Sequence, residues 1–228
     1  MSERSEPKSR RERPAKPALS RGWIVDTAVR IMRAEGLEKV TMRRLAQELD
    51  TGPASLYVYV ANTAELHAAV LDALLGEVDL AEEGGGDDWR ERLVAVLTSY
   101  TLVLFRHPQL ARSALVARPS GDNYLRLVDR VLALLARGGA PVEQVAWGVD
   151  QLLQTATATA AEQSTRDQDP AAQQEWDALT RALHAEDGTR HPAIKAHMPA
   201  LISGGDRLRW GFEVLINGIG STPVPDPD

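Results

Sequence analysis

From Ser20 onward, apolar side chains recur at intervals of three and four, and glycine or proline cuts off most runs. That spacing places one buried stripe on an α-helix. The first run, Ile24, Ala28, Ile31 and Met32, predicts a helix capped by Ser20 and ending near residue 35, with Gly36 just beyond. The second run is short: Met42, Leu45, Ala46 and Leu49. Thr41 precedes it, and its hydroxyl can accept from the orphan N–H groups of a first turn. Asp50-Thr51-Gly52-Pro53 breaks that helix, because Asp and Gly tolerate turn dihedrals and Pro suits the first turn of another. Leu56 and Val60 then supply a new i, i+4 apolar pair on a helix of about eight residues. Ser55, Tyr57 and Tyr59 carry hydroxyls on its other faces. Two short amphipathic helices across a tight turn make a helix-turn-helix, whose second helix enters the DNA major groove.

The helical period continues to the end of the chain. Asn62 with Glu65 resembles a capping box opening a helix over residues 63–82, through Leu66, Val70, Ala73 and Leu74 to an acidic, glycine-rich joint. Asp87 or Asp88 caps a helix to about residue 105, which His107-Pro108 ends. Helices are expected near 109–116, 122–137 and 141–164, the last striped by Val145, Val149, Leu152, Leu153, Ala156 and Ala160. Residues 165–175 are polar and read as irregular; a short helix follows at 176–185, His191-Pro192 marks a break, and a last helix spans 206–220. No segment reads as a strand. The expected class is all-α, with the helix-turn-helix near the N-terminus and a longer run of helices after it.

Charge sharpens this division. The net charge is −6, but residues 1–60 hold 12 Lys/Arg against 8 Asp/Glu, so the excess acid lies beyond them. A basic unit on an acidic body suits a protein that meets phosphate at one end. Residues 1–18 contain three prolines, six basic residues and no large apolar group, the composition of a disordered arm. Arg10, Arg11, Arg13 and Lys16 give that arm the means to reach phosphate or an adjacent minor groove; a solubilising tail fits equally. Cysteine is absent, which removes disulfides, thiolate nucleophiles and thiolate metal sites. The five histidines show no metal-ligand spacing, so no metal or cofactor is expected. No apolar leader and no run of about 18 apolar residues appears, which predicts a cytoplasmic protein with no membrane partner.

Residues 21–74 resemble the DNA-binding domain of the tetracycline-repressor (TetR) family. Gly36-Leu37 before Val40-Thr41, Arg44-Leu45-Ala46, and Leu56-Tyr57 carry the resemblance. More weakly, Trp89, Arg118-Pro119, Tyr124 and the helix around Gln151 fall in the order of the family's C-terminal domain. The resemblance implies a three-helix DNA-binding domain at 19–64, then a connecting helix and a helical ligand-binding and dimerisation domain over 65–228. It implies a homodimeric repressor of a double-stranded operator, released by a small-molecule effector. It gives Thr41 and Tyr57 phosphate contacts, puts Arg43 where a base-reading arginine stands, and places Arg44 on the exposed side of the same helix. Pro53, Ala54, Ser55, Val58 and Tyr59 would face bases or sugars. Arginine can contact guanine O6 and N7 together, whereas Pro, Ala and Val offer only apolar contact to thymine methyls. Thr63 stands where the family often has lysine, which removes one phosphate contact and lowers the salt slope by about one unit.

For the effector, the resemblance implies a pocket near Val96, Tyr100, Leu127, Gly148, Val149 and Leu152. Trp147, Gln151 and Thr155 form a further i, i+4, i+8 row that fits either the pocket or a dimer partner. Such a lining suits an apolar or aromatic molecule oriented by a few polar groups. Ala114 and Ala117 stand where the tetracycline repressor binds its magnesium–drug complex with histidine and threonine, so that mode of binding is not expected here. Two other classes compete: a helical binding module that kept the fold without operator binding, and an enzyme. Against the enzyme stands the absence of any Ser/His/Asp, metal or phosphate-loop pattern.

Overall fold

The computed structural model describes residues 18–81, 88–116 and 119–225, and every regular element among them is helical. The basic arm, apart from Ala18, the glycine joint at 82–87, and Ala117 with Arg118 fall outside the described residues. The elements are α1 (Arg21–Glu35), a 3-10 turn (Leu37–Lys39), α2 (Met42–Glu48), α3 (Pro53–Leu56), α4 (Thr63–Leu75), α5 (Trp89–Arg106), α6 (Pro108–Ala114), α7 (Asp122–Arg137), α8 (Val142–Gln168), α9 (Ala172–His184), α10 (Pro192–Leu201) and α11 (Arg207–Ser221).

The N-terminal unit is built from well-capped pieces. Ser20 accepts from the Trp23 N–H, and Gly36, at φ 92°, closes α1 by donating to the Met32 carbonyl. That backbone angle is where glycine is at ease and L-residues are not. Ile24, Ala28, Leu45, Ala46, Leu56 and Val60 meet in a core almost free of water. Each large side chain there stabilises the unit by roughly 1.5–3 kcal/mol relative to exposure. The core continues along α4 through Leu66, Val70 and Leu74 into the larger bundle.

Helix α8 is the axis of that bundle. Leu152, Leu153, Ala156, Ala160 and Ala161 are buried against α5, α6, α7 and α11. Its alanines let neighbouring helices approach closely, and at Gly148 an added Cβ would lie 2.8 Å from Ile219 of α11.

Three elements differ from the sequence expectation. Helix α4 stops at Leu75 rather than residue 82. Gly76 passes close to α7, where a Cβ would sit 3.3 Å from Asn123 Oδ1, and the chain then turns away. Arg130 and Arg92 hold the chain after that turn: Arg130 donates to the Leu80 carbonyl at 2.8 Å and to that of Ala81 at 2.7 Å, and Arg92 Nε donates to Ala81 at 3.1 Å. Residues 165–175 are not irregular throughout, because α8 runs to Gln168 and α9 begins at Ala172. The Ser164 hydroxyl returns to the Ala160 carbonyl, and Arg112 of α6 donates to Gln168 at 2.8 Å, so a polar surface still supports the helix. Finally, Pro192 does not merely end a segment; it occupies the first position of α10, where its missing N–H costs nothing.

Candidate nucleic-acid interface and ligand cavity

The short helices present one continuous exposed face. Thr41 caps α2 by accepting from the Arg44 N–H at 3.2 Å, which leaves its hydroxyl hydrogen to donate outward. Arg43 projects from the first turn into solvent. Asp50 makes the turn with φ 47°, the left-handed conformation that Asp tolerates better than most residues. Pro53 opens α3 at its first position. Pro53, Ala54, Ser55 and Tyr57 are exposed, Val58 is 80% exposed, and Leu56 and Val60 anchor the segment from beneath. Val58 stands apolar and exposed on the surface that the helix-turn-helix offers to a groove. Thr63 is exposed at the first position of α4.

Two of the expected contacts are engaged elsewhere. Arg44 donates to Glu35 at 2.6 Å and to Glu48 at 2.8 Å, joining the end of α1 to α2. Hydrogen bonds from Arg44 hold the Glu35 and Glu48 carboxyls below their usual range, and Arg30 adds to the effect at Glu48. The guanidinium therefore shapes the unit instead of projecting from it. The i, i+4 pairing of Arg44 with Glu48 was visible in the sequence and signals this role. Tyr59 donates its hydroxyl to the Leu19 carbonyl at 2.8 Å, tying the recognition segment to the residue before α1's cap. The helical part of that segment is also shorter than expected: α3 is Pro53–Leu56, continued by turns through Tyr59.

A cavity of about 170 Å³ opens among five helices. Leu71 and Leu75 of α4, Tyr100 of α5, Ala114 of α6, Tyr124 of α7, and Leu153, Gln154 and Thr157 of α8 contribute to its lining. The Thr157 hydroxyl is 2.7 Å from the Leu153 carbonyl and 2.7 Å from the Tyr100 hydroxyl. A carbonyl only accepts, so Thr157 donates to Leu153 and Tyr100 donates to Thr157. Burial pushes the Tyr100 phenol up to about 12, so it is neutral at physiological pH.

Of the residues expected at the pocket, Tyr100 lines this cavity. Val96, Leu127 and Leu152 are fully buried core side chains, and Val149 is half-buried against that core. Trp147, Gly148 and Gln151 lie on another side of α8, in a nearly apolar groove of about 430 Å³ shared with Val214, Leu215 and Ile219 of α11. Trp147 and Gln151 of the row that fitted either pocket or partner thus lie away from the cavity, and Trp147 is 59% exposed. Leu71 and Leu75 are lining residues that sequence reasoning missed. Their helical stripe reads as core, and only the packing shows that α4 borders a void. Among the described residues no cluster of three or more His, Asp or Glu is placed to hold a metal, and no helix is long and apolar enough to cross a membrane.

The two regions are bridged. Gln109 of α6 accepts from the Leu37 N–H at 2.6 Å, and Glu77 pairs with Arg33 of α1 at 2.6 Å and Arg106 of α5 at 3.5 Å.

Both halves match models of known families. Residues 24–70 match the bacterial regulatory proteins of the tetR family, and residues 82–222 match the tetracyclin repressor-like C-terminal domain. An HTH-type transcriptional regulator of Saccharopolyspora erythraea is 31% identical over 211 residues, covering 91% of this chain and 87% of the relative. A crystal structure of a transcription regulator from Streptomyces coelicolor is 73% identical, with a TM-score of 0.75 over 93% of this chain and 100% of that one. The TetR family protein ActR of Streptomyces coelicolor, in complex with actinorhodin, is 36% identical, with a TM-score of 0.77 over 89% of this chain and 96% of that one. With both its DNA-binding and C-terminal halves so matched, the chain belongs to the TetR family of bacterial transcriptional regulators.

Proposed function

We propose that this protein is a homodimeric, ligand-responsive repressor that leaves a palindromic operator when a small apolar or aromatic molecule enters the five-helix cavity. The observation that carries the reading is the double service of α4. Thr63 starts it directly after the recognition segment, while Leu71 and Leu75 line the cavity. A molecule that prefers the cavity in one tilt of α4 shifts the population of DNA-competent dimers by its differential affinity alone. The exposed apolar groove of α8 and α11 is the surface on which a second copy would pack, since two helices from each subunit make a four-helix interface. Direct readout falls to Arg43 and Ser55, with Ala54, Pro53 and Val58 contacting thymine methyls and Thr41 and Tyr57 contacting phosphate. Such a protein works on DNA in the cytoplasm, binds and does no chemistry, and needs no cofactor.

The test is a shift assay on the DNA upstream of the chain's own gene, with actinorhodin as the first effector probe because a 36% identical relative binds it. Retarded DNA is expected, and Arg43→Ala should weaken binding by about 1–3 kcal/mol while relaxing the preference at one base position. A chain that shifts no upstream DNA at any salt concentration is not this repressor.

A further inference from the structure

Helix α7 has no cap of its own. Gly121 stands at its N-cap position with ordinary extended backbone (φ −84°, ψ 170°) and no side chain to bond the first turn. Asp72 of α4 supplies the missing group from another element. Its Oδ1 accepts from the Tyr124 N–H at 2.9 Å, the third-residue donor that a capping side chain normally satisfies. Its Oδ2 lies 3.5 Å from Asn123 Nδ2. A Cβ added to Gly121 would fall 2.1 Å from Asp72 Oδ2, so the carboxylate fills the space a local cap would need. A negative charge there is also favoured by the dipole of α7.

The bond sits where DNA and effector readings meet. Leu71 and Leu75 flank Asp72 on α4, Tyr124 donates the bond from α7, and all three line the cavity. With Asp72 cut back, a serine or aspartate at 121 would have the room and the ordinary backbone angles to cap α7 itself, and α4 would be left free. We propose that Asp72 is a positioning residue for operator binding: by capping α7 in trans it fixes the tilt of α4 against the core, and so the separation of the two recognition segments in the dimer. A molecule that parts Leu71 from Tyr124 acts against this bond. The proposal rests on the repressor reading above.

Helix stability and positioning can be separated. Asp72→Ala removes the trans cap, Asp72→Asn keeps an oxygen for the Tyr124 N–H, and Asp72→Ala with Gly121→Ser restores a cap inside α7 without the link to α4. Each is measured for Tm, for affinity to the upstream operator at its natural spacing and with one base pair inserted between half-sites, and for spin-label distances. The labels sit on Gln47→Cys, which is exposed on α2 and would be the only cysteine in the chain. The double variant is expected to regain the wild-type Tm yet bind the natural operator about fivefold or more weakly, the lower range of coupling between sites. It should also discriminate less against the inserted base pair and show a broader distance distribution, while Asp72→Asn stays near wild type. Recovery of affinity and a narrow distribution together with Tm in the double variant would overturn the proposal, leaving Asp72 as a helix stabiliser. Asp72→Asn binding as weakly as Asp72→Ala would overturn it too. A wild-type chain that does not retard upstream DNA, with a labelled Gln47→Cys chain that gives no dipolar signal, strikes the repressor reading itself and the positioning role with it.

Discussion

The recognition face and the cavity are assembled in opposite ways. Every residue of the face lies between Thr41 and Thr63, and its shape follows from caps and turns a few residues apart. The cavity borrows one or a few side chains from each of five helices spread from Leu71 to Ala158. A surface made of neighbours in sequence can be read from spacing. A void made of strangers cannot, because each of its residues has the same periodic signature as core. The same contrast governs energetics. The face rests on local caps, the ion pairs of Arg44 and the small core of Leu45, Leu56 and Val60 beneath it, whereas the cavity wall carries the buried Tyr100–Thr157–Leu153 hydrogen-bond chain.

That contrast can be broken from either side. The largest effect is expected from Leu45→Ala, which empties a fully buried position beneath the recognition face. It should cost about 2–5 kcal/mol, read by denaturant unfolding, and abolish operator binding before the bundle around α8 melts. A single cooperative loss of both regions would show that they do not differ in independence.

Thr157→Val is the corresponding cut on the cavity side. It leaves the buried Tyr100 hydroxyl without its acceptor, and a stranded buried donor costs about 1–3 kcal/mol. Operator affinity measured without effector should change little, whereas effector affinity should fall.

Tyr59→Phe sharpens the account of the face. Its hydroxyl donates to the Leu19 carbonyl, so its loss should lower stability by about 0.5–1.5 kcal/mol. If Tyr59 instead serves DNA directly, operator affinity will drop with no change in Tm.

The smallest expected effects are in pH, and they lie at opposite extremes. Glu35 and Glu48 titrate below the ordinary value of 4.5 because Arg44 holds them ionised. Their contribution is present above that value and is lost as pH falls through the lowered folded-state values. Tyr100 is raised from 10.0 to about 12, so its contribution is present below 10 and is lost as pH climbs towards 12. Amide exchange should therefore loosen α1 and α2 first in acid, and α5 and α8 first in alkali.

The sequence alone determined the all-helical class, the caps at Ser20, Thr41 and Asn62, and the turn at Asp50. These depend on groups within about four residues of one another, the reach of a helical turn. Only the tertiary structure decided that α4 ends at Leu75 over α7, and that Arg44 and Tyr59 are engaged inside the DNA-binding unit. It alone placed Trp147 on α11's side of α8, and gave the cap of α7 to Asp72. Each of those outcomes rests on a partner far away in the chain, and spacing along a sequence carries no record of which distant side chain a fold brings within 3 Å.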